Sequence, residues 1–96
     1  MVIVAGYLLV EPEQRSGYLA DASSVVEAAR RAPGCLDFFL GADLLDPARI
    51  AVFERWETRQ AVEAFRGDGP SDEQATAILG GSSVSEYDVT GVRPLL

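Results

Sequence analysis

The chain has 96 residues, 48% of them hydrophobic, and fifteen acidic against eight basic residues leave it a net charge of −7. That length makes one domain, residues 1–96, which buries roughly 60–65% of its unfolded surface, and the apolar content excludes a disordered chain. The acidic surface repels phosphate backbones and anionic headgroups, which excludes nucleic acid and membrane surface as partners. Histidine is absent, so the commonest general base, the commonest zinc and haem ligand, and every Ser-His or Cys-His nucleophile pair are missing. The single cysteine, Cys35, allows no internal disulfide, which fits a reducing, cytoplasmic setting.

Val2 to Val10 is rich in β-branched and aromatic residues and reads as a first strand. The run has no basic leader region and falls far short of the ~20 residues that span a bilayer, so it is read neither as a signal peptide nor as a membrane segment. Pro12, flanked by Glu11 and Glu13, suits a helix start. Leu19, Ala22, Val26 and Ala29 then recur on one helical face, with Tyr18 and Val25 beside them, until Pro33-Gly34. Cys35 to Leu45 and Ile50 to Glu57 read as strands two and three, joined by a turn at Asp46-Pro47.

Thr58 is the expected N-cap of a helix carrying Ala61, Val62 and Phe65, stopped by Gly67 and Pro70. Ser71 and Gln74 form a capping-box pattern for a short helix through Ala75, Ile78 and Leu79, broken by Gly80-Gly81. Val84 to Val92 reads as strand four, ended by Pro94. The Gly80-Gly81-Ser82-Ser83 run follows a helix instead of opening one, so it is not read as a phosphate loop.

The order is βαββαβ, with the second helix in two pieces. It predicts the α+β ferredoxin-like fold, an antiparallel sheet with helices on one face. Strand one is apolar on both faces: Ile3, Ala5, Tyr7 and Leu9 point one way, and Val2, Val4, Leu8 and Val10 the other. Strand two places Leu36, Phe38 and Leu40 on one face and Phe39 and Cys35 on the opposite one. Two helices cover a single face, so the other needs a second sheet, and a homodimer supplies it. Leaving that face in water forgoes several kcal/mol at ~25 cal/mol per Å².

Gly34-Cys35-Leu36, Glu54-Arg55-Trp56-Glu57 and the segment Gln60 to Phe65 together resemble the antibiotic biosynthesis monooxygenase family. The resemblance implies a dimeric α+β barrel. It matches Trp56 to the tryptophan that closes strand three and lines the pocket of the characterised oxygenases. Anthrone-oxidising members carry an asparagine four residues earlier, where this chain has Val52. Haem-degrading members use an asparagine on strand one, where this chain offers Tyr7, and a histidine on a later helix, which it lacks. The resemblance therefore points away from haem.

An oxygenase without metal or flavin relies on an electron-rich substrate anion to reduce oxygen. The protein supplies a dry pocket, a proton acceptor and donors for the developing oxyanion. Trp56, Glu54 and Tyr7 are the candidate catalytic residues; Tyr18, Phe38, Val52 and Tyr87 are candidates for the substrate wall, and Arg55 and Arg93 for positive charge. No metal and no cofactor is expected. Each residue has a plainer role open to it. Trp56 and the tyrosines serve equally as packing, Cys35 as a small buried hydrophobe, and Glu54 as the partner of an arginine at a sheet or dimer edge. Asp37 and Asp43 are too far apart along a strand to form a carboxylate dyad. The expected function is a cofactor-independent monooxygenase acting on a polyketide phenol, anthrone or quinol. The alternatives are a non-catalytic dimeric barrel that binds a small molecule or serves structurally, and a decarboxylase or cyclase on a related substrate.

Overall fold

The computed structural model describes residues 1–67 and 77–96. Four strands, β1 (Val2–Leu9), β2 (Cys35–Ala42), β3 (Arg49–Trp56) and β4 (Ser83–Asp88), form one sheet in the order β2-β3-β1-β4. Every neighbouring pair is antiparallel. Among the described residues, α1 (Arg15–Arg31) connects β1 to β2, and α2 (Arg59–Arg66) follows β3. The fold is the α+β ferredoxin-like one that the element order predicts.

Residues opposite one another in an antiparallel ladder share a face, so the register fixes what each side of the sheet carries. Val2 lies opposite Trp56, Val4 opposite Glu54, and Leu8 opposite Ile50. Phe38 lies opposite Glu54 and Leu40 opposite Val52. This face is covered by both helices: Ala29 of α1 and Val62 of α2 join Val2, Val4, Phe38 and Trp56 in one buried cluster. Alanine at positions 22 and 29, both buried, lets α1 lie close against the strands.

The hairpin between β2 and β3 is built by side chains. The Asp43 carboxylate accepts from the backbone N–H groups of Leu45 at 2.9 Å and Asp46 at 2.8 Å, and Asp46 accepts from Ala48 N–H at 2.9 Å. Arg15, in the first turn of α1, donates to the Asp46 carbonyl at 2.9 Å and reaches those of Arg49 and Asp43 at 3.4 and 3.5 Å. The Asp43 bonds turn the chain early, so β2 ends at Ala42 instead of Leu45. β3 runs one residue earlier than expected at each end.

A second departure lies at the start of β2. A register irregularity between Cys35 and Asp37 sets Cys35 opposite Trp56 and Asp37 opposite Arg55. The extra residue, Leu36, is 41% exposed, and Cys35 packs against the helix-covered core. The expected alternation, with Leu36 inside and Cys35 beside Phe39, is therefore reversed at these two positions. A bulge inserts one residue and flips the strand's phase locally.

Gly34 (φ +84°) sits where the chain passes under α2, and a Cβ there would stand 2.7 Å from the Ala61 methyl. Its carbonyl accepts from Glu57 N–H at 2.8 Å. Thr58 caps α2 as expected, accepting from Ala61 N–H at 3.1 Å, and Gly67 (φ +50°) ends it. The short helix expected from Ser71 onwards falls largely on residues 68–76, outside the described residues. β4 ends at Asp88, short of Val92; Val89 N–H donates to the Met1 carbonyl at 2.9 Å as the last rung beside β1.

Among the described residues, no helix lies over the opposite face of the sheet. That face carries Ile3, Ala5, Tyr7 and Leu9 of β1 with Phe39, Phe53 and Tyr87, of which the last three are 50%, 36% and 53% exposed. Phe39 and Phe53 stack at 6.3 Å between ring centroids, Arg49 lies 4.0 Å over the Tyr7 ring, and Arg55 pairs with Asp37 at 2.7 Å. Among the described residues, no helix is long and apolar enough to cross a membrane.

Candidate functional site

Alternation along β3 places Ile50, Val52, Glu54 and Trp56 in one line on the helix-covered face, all four buried. Trp56, at the end of that line, is completely buried. Its indole meets Phe38 edge-on at 6.5 Å and lies tilted against Phe65 of α2 at 5.4 Å, and the two phenylalanines meet at 5.9 Å. These separations are those of aromatic pairs that stabilise beyond simple burial.

Among the described residues, Glu54 is the one charged residue that is buried. The Trp56 indole N–H donates to its Oε1 at 3.0 Å. Arg66, in the last turn of α2, donates from one Nη to both carboxylate oxygens, at 3.1 and 3.3 Å. A buried carboxylate without such partners is costly, and these two donors answer that cost. The two ends of the pair differ in exposure: the Glu54 side chain is 6% accessible and that of Arg66 47%.

Beside this pair lies a cavity of about 540 Å³ between the sheet and α1. Among the described residues, Phe38, Leu40 and Val52 form its floor, Tyr18 and Val25 its α1 wall, and Glu54 with Arg66 its charged edge. The volume suits a small ring system, and an apolar lining with few polar groups is the usual character of a ligand site. Burial pushes the Tyr18 hydroxyl above its ordinary pKa, so it is a proton donor at neutral pH. Burial also raises the Cys35 thiol, assisted by the Glu54 and Asp37 charges.

Of the residues singled out in the sequence, the structure brings Glu54, Tyr18, Phe38 and Val52 to the cavity. Trp56 stands behind the wall, holding Glu54 and Phe38. Tyr7 lies opposite Ala51 and Tyr87 opposite Ile3, both on the uncovered face, so the sheet separates them from Glu54. Arg55 is on that outer face as well, paired with Asp37, and Arg93 is exposed beyond β4. Arg66 was not singled out. The signal was present: Arg66 stands four residues after Val62, so both lie on the side of α2 turned to the sheet. Among the described residues, no group of three or more Asp, Glu, Cys or His side chains converges as a metal site.

The sequence profile of the antibiotic biosynthesis monooxygenase family matches residues 1–73. The chain belongs to that family. A candidate antibiotic biosynthesis monooxygenase from Deinococcus radiodurans superposes with a TM-score of 0.80 at 18% identity, over 100% of this chain and 99% of that one. A candidate from Nitrosomonas europaea gives 0.78 at 18% identity, over 93% and 98%. A conserved protein from Methanosarcina mazei gives 0.77 at 17%, over 90% and 89%. At such identities the likeness establishes the fold. An uncharacterized protein of Synechocystis is 27% identical over 62 residues, 65% of this chain but only 42% of that relative's length.

Proposed function

We propose that the protein is a cofactor-independent monooxygenase acting on an electron-rich aromatic, a phenol, anthrone or quinol, bound in the cavity between the sheet and α1. The observation that carries this reading is a buried carboxylate, Glu54, at the edge of an apolar cavity of about 540 Å³ that Tyr18 also lines. Family membership supports oxygenase chemistry in general terms. The fold alone does not name a substrate.

In this reading Glu54 takes the acidic proton, from the hydroxyl of a phenol or quinol or from the methylene of an anthrone, and the Tyr18 hydroxyl donates to the oxyanion that results. The substrate anion gives one electron to dioxygen, and the radical pair combines into a carbon–oxygen bond carrying a terminal peroxide. The Glu54 proton returns to the peroxide, the hydrogen on the oxygenated carbon leaves as a proton, and the O–O bond breaks to give a carbonyl and, from the departing hydroxide and that proton, water. A ring C–H of a phenol, or the methylene of an anthrone, is thereby converted to C=O with one oxygen atom from O2. The other atom departs as water, so no external reductant enters. The apolar lining lowers the polarity around the anion. Trp56 positions Glu54 through the indole N–H, and Phe38 and Val52 supply the ring-binding wall. Tyr7 and Tyr87 have no part in this chemistry.

The same reading makes the protein a homodimer, with the uncovered face against a second copy. Its support is the aromatic cluster of Phe39, Phe53 and Tyr87 on that face, together with the dimeric habit typical of the family. The Tyr7 and Tyr87 side chains then belong to the interface.

The test is oxygen uptake by protein treated with chelator, against a panel of anthrones, quinols and dihydroxynaphthalenes, with Glu54→Gln and Tyr18→Phe alongside. Turnover that persists after chelation, incorporates label from 18O2 and drops at least a hundredfold in Glu54→Gln supports the reading. Binding of the same compounds without oxygen consumption favours the non-catalytic barrel.

A further inference from the structure

We propose that the Arg66–Glu54 ion pair is a ligand-exchangeable latch, and that the cavity selects aromatic ligands carrying an anionic oxygen, a phenolate or a carboxylate, which takes Arg66 away from Glu54. This rests on the cavity being the ligand site, as proposed above, and adds the charge state of what it accepts.

The argument begins with the unequal anchoring of the two partners. Glu54 is fixed: it projects from a central strand, is 5% exposed, and its Oε1 holds the indole N–H of a completely buried tryptophan. Arg66 is not fixed in that way. It stands in the last turn of α2, immediately before Gly67, and its side chain is 47% accessible. A long side chain with half its surface in solvent changes rotamer readily, whereas a carboxylate bonded to a packed indole does not. Any exchange of partners at this pair is therefore made by the arginine.

The cavity supplies the reason for exchange. Glu54 and Arg66 both contribute to its edge, while the walls around them are apolar. Among the described residues, a ligand oxyanion entering that edge meets one cation, which is already engaged, and one like charge. Binding then requires that the guanidinium turn from the carboxylate to the ligand. A planar guanidinium serves either oxyanion by charge-assisted hydrogen bonds, so the swap replaces one strong pair with another, and the ligand's pairing must offset the cost of leaving Glu54 with the Trp56 donor. Glu54 retains the Trp56 N–H after the swap and becomes open to a ligand proton. An aromatic that cannot ionise lacks a group to draw the arginine away and leaves the pair closed. The resident ion pair thus competes with the ligand, and removing its acidic half has a counter-intuitive consequence: it should tighten the binding of anions.

Binding is read by the fluorescence of Trp56, the only tryptophan of the chain, whose indole N–H is part of the pair. The probes are 2-naphthoate, 2-naphthol at neutral pH and naphthalene-2-carboxamide, titrated at fixed ionic strength into the purified full chain. Wild type is expected to bind naphthoate in preference to the carboxamide. Glu54→Gln is expected to bind naphthoate about tenfold more tightly than wild type, because Arg66 no longer has a carboxylate partner, and so to raise the preference for naphthoate over the carboxamide. Arg66→Gln is expected to lose the naphthoate preference by about tenfold or more, with Arg66→Lys recovering part of it. Thermal unfolding of each variant identifies any that fail to fold, and Glu54→Gln, which leaves only a half-exposed arginine unpaired, carries the decisive comparison.

Two results overturn the latch. Equal affinity of wild type for naphthoate and carboxamide refutes the anion selection while leaving the cavity as a ligand site. Unchanged or weaker naphthoate binding in Glu54→Gln shows that the pair is only structural. Failure of all three probes to bind wild type removes the cavity as an aromatic site, and with it both this inference and the function proposed above.

Discussion

Trp56 and Glu54, two residues apart on β3, hold one another: the indole N–H donates to the carboxylate at 3.0 Å, and both side chains are buried on the helix-covered face. The tryptophan is thus a packing residue and a positioning residue at once. Its ring closes the aromatic trio with Phe38 and Phe65, while its one polar atom fixes the direction of the buried Glu54 charge. Trp56→Ala is expected to cost ~3–5 kcal/mol in urea unfolding, the usual range for deleting a buried aromatic. A loss near zero with the fold intact would mean that the ring stands on an open wall.

Gly6 carries a sharper backbone constraint. Its φ is +149°, and a Cβ at this position would run into the Ser83 carbonyl of β4. Gly6→Ala is therefore expected to destabilise by more than ~1 kcal/mol through strain alone, and further by parting β1 from β4. Hydrogen exchange should show the loss first at the β4 amides, with those of the β2–β3 hairpin unchanged.

Tyr18 gives a pH signature. Burial raises its pKa in the folded chain above the ordinary value of 10.0. A group whose folded pKa is raised stabilises fully below the unfolded value, and that contribution is lost as pH rises through the folded one. Unfolding midpoints of wild type and Tyr18→Phe should keep a constant difference up to about pH 10 and change relative to each other above it. A flat difference throughout alkaline pH would place the hydroxyl in free solvent.

Cys35 should be slow to react. Burial first, and then the nearby Glu54 and Asp37 charges, raise its thiol pKa, and its Sγ lies 3.6 Å from the Asp37 carbonyl. Reactivity follows the thiolate, so alkylation at pH 8 is expected to run at least tenfold slower in the folded protein than after denaturation. Equal rates would contradict the packing of Cys35 beside Trp56.

The uncovered sheet face predicts the assembly. Phe53→Glu puts a charge beside Phe39 at the middle of the aromatic cluster while leaving the helix-covered core untouched. Sedimentation should show wild type as a dimer and this variant as a monomer with unchanged secondary structure. A wild-type monomer at micromolar concentration would remove the homodimer from the reading.

Much of the fold was legible because its signals are local. The Thr58 cap, the Asp46-Pro47 turn, the helical face through Ala22 and Ala29, and the alternation along β3 each depend on a few neighbouring residues. What escaped depends on long-range register. Alternation separates Tyr7 from Leu8, but only the pairing of Val2 with Trp56 shows which of the two faces Glu54. The bulge at Leu36 reverses Cys35 without any glycine or proline at the extra residue. An arginine partner for Glu54 was expected at a sheet or dimer edge; it comes from α2, because the sequence does not state the distance between the end of that helix and the middle of β3. The β2 strand ends early through Asp43 bonds that a strand pattern does not encode.

The order β2-β3-β1-β4 also constrains synthesis. β1 emerges from the ribosome first, yet it is central, and its partners are β3, ending at Trp56, and β4, ending at Asp88. The β2–β3 hairpin can zip as soon as it appears, because its contacts are close in sequence. β1 stays an apolar strand with both edges open until about fifty further residues have followed it, which at ribosomal speeds is a matter of seconds. During that interval it is the segment of the nascent chain most exposed to mispairing, and a chaperone that holds extended apolar strands would find Val2–Leu9 before the sheet does.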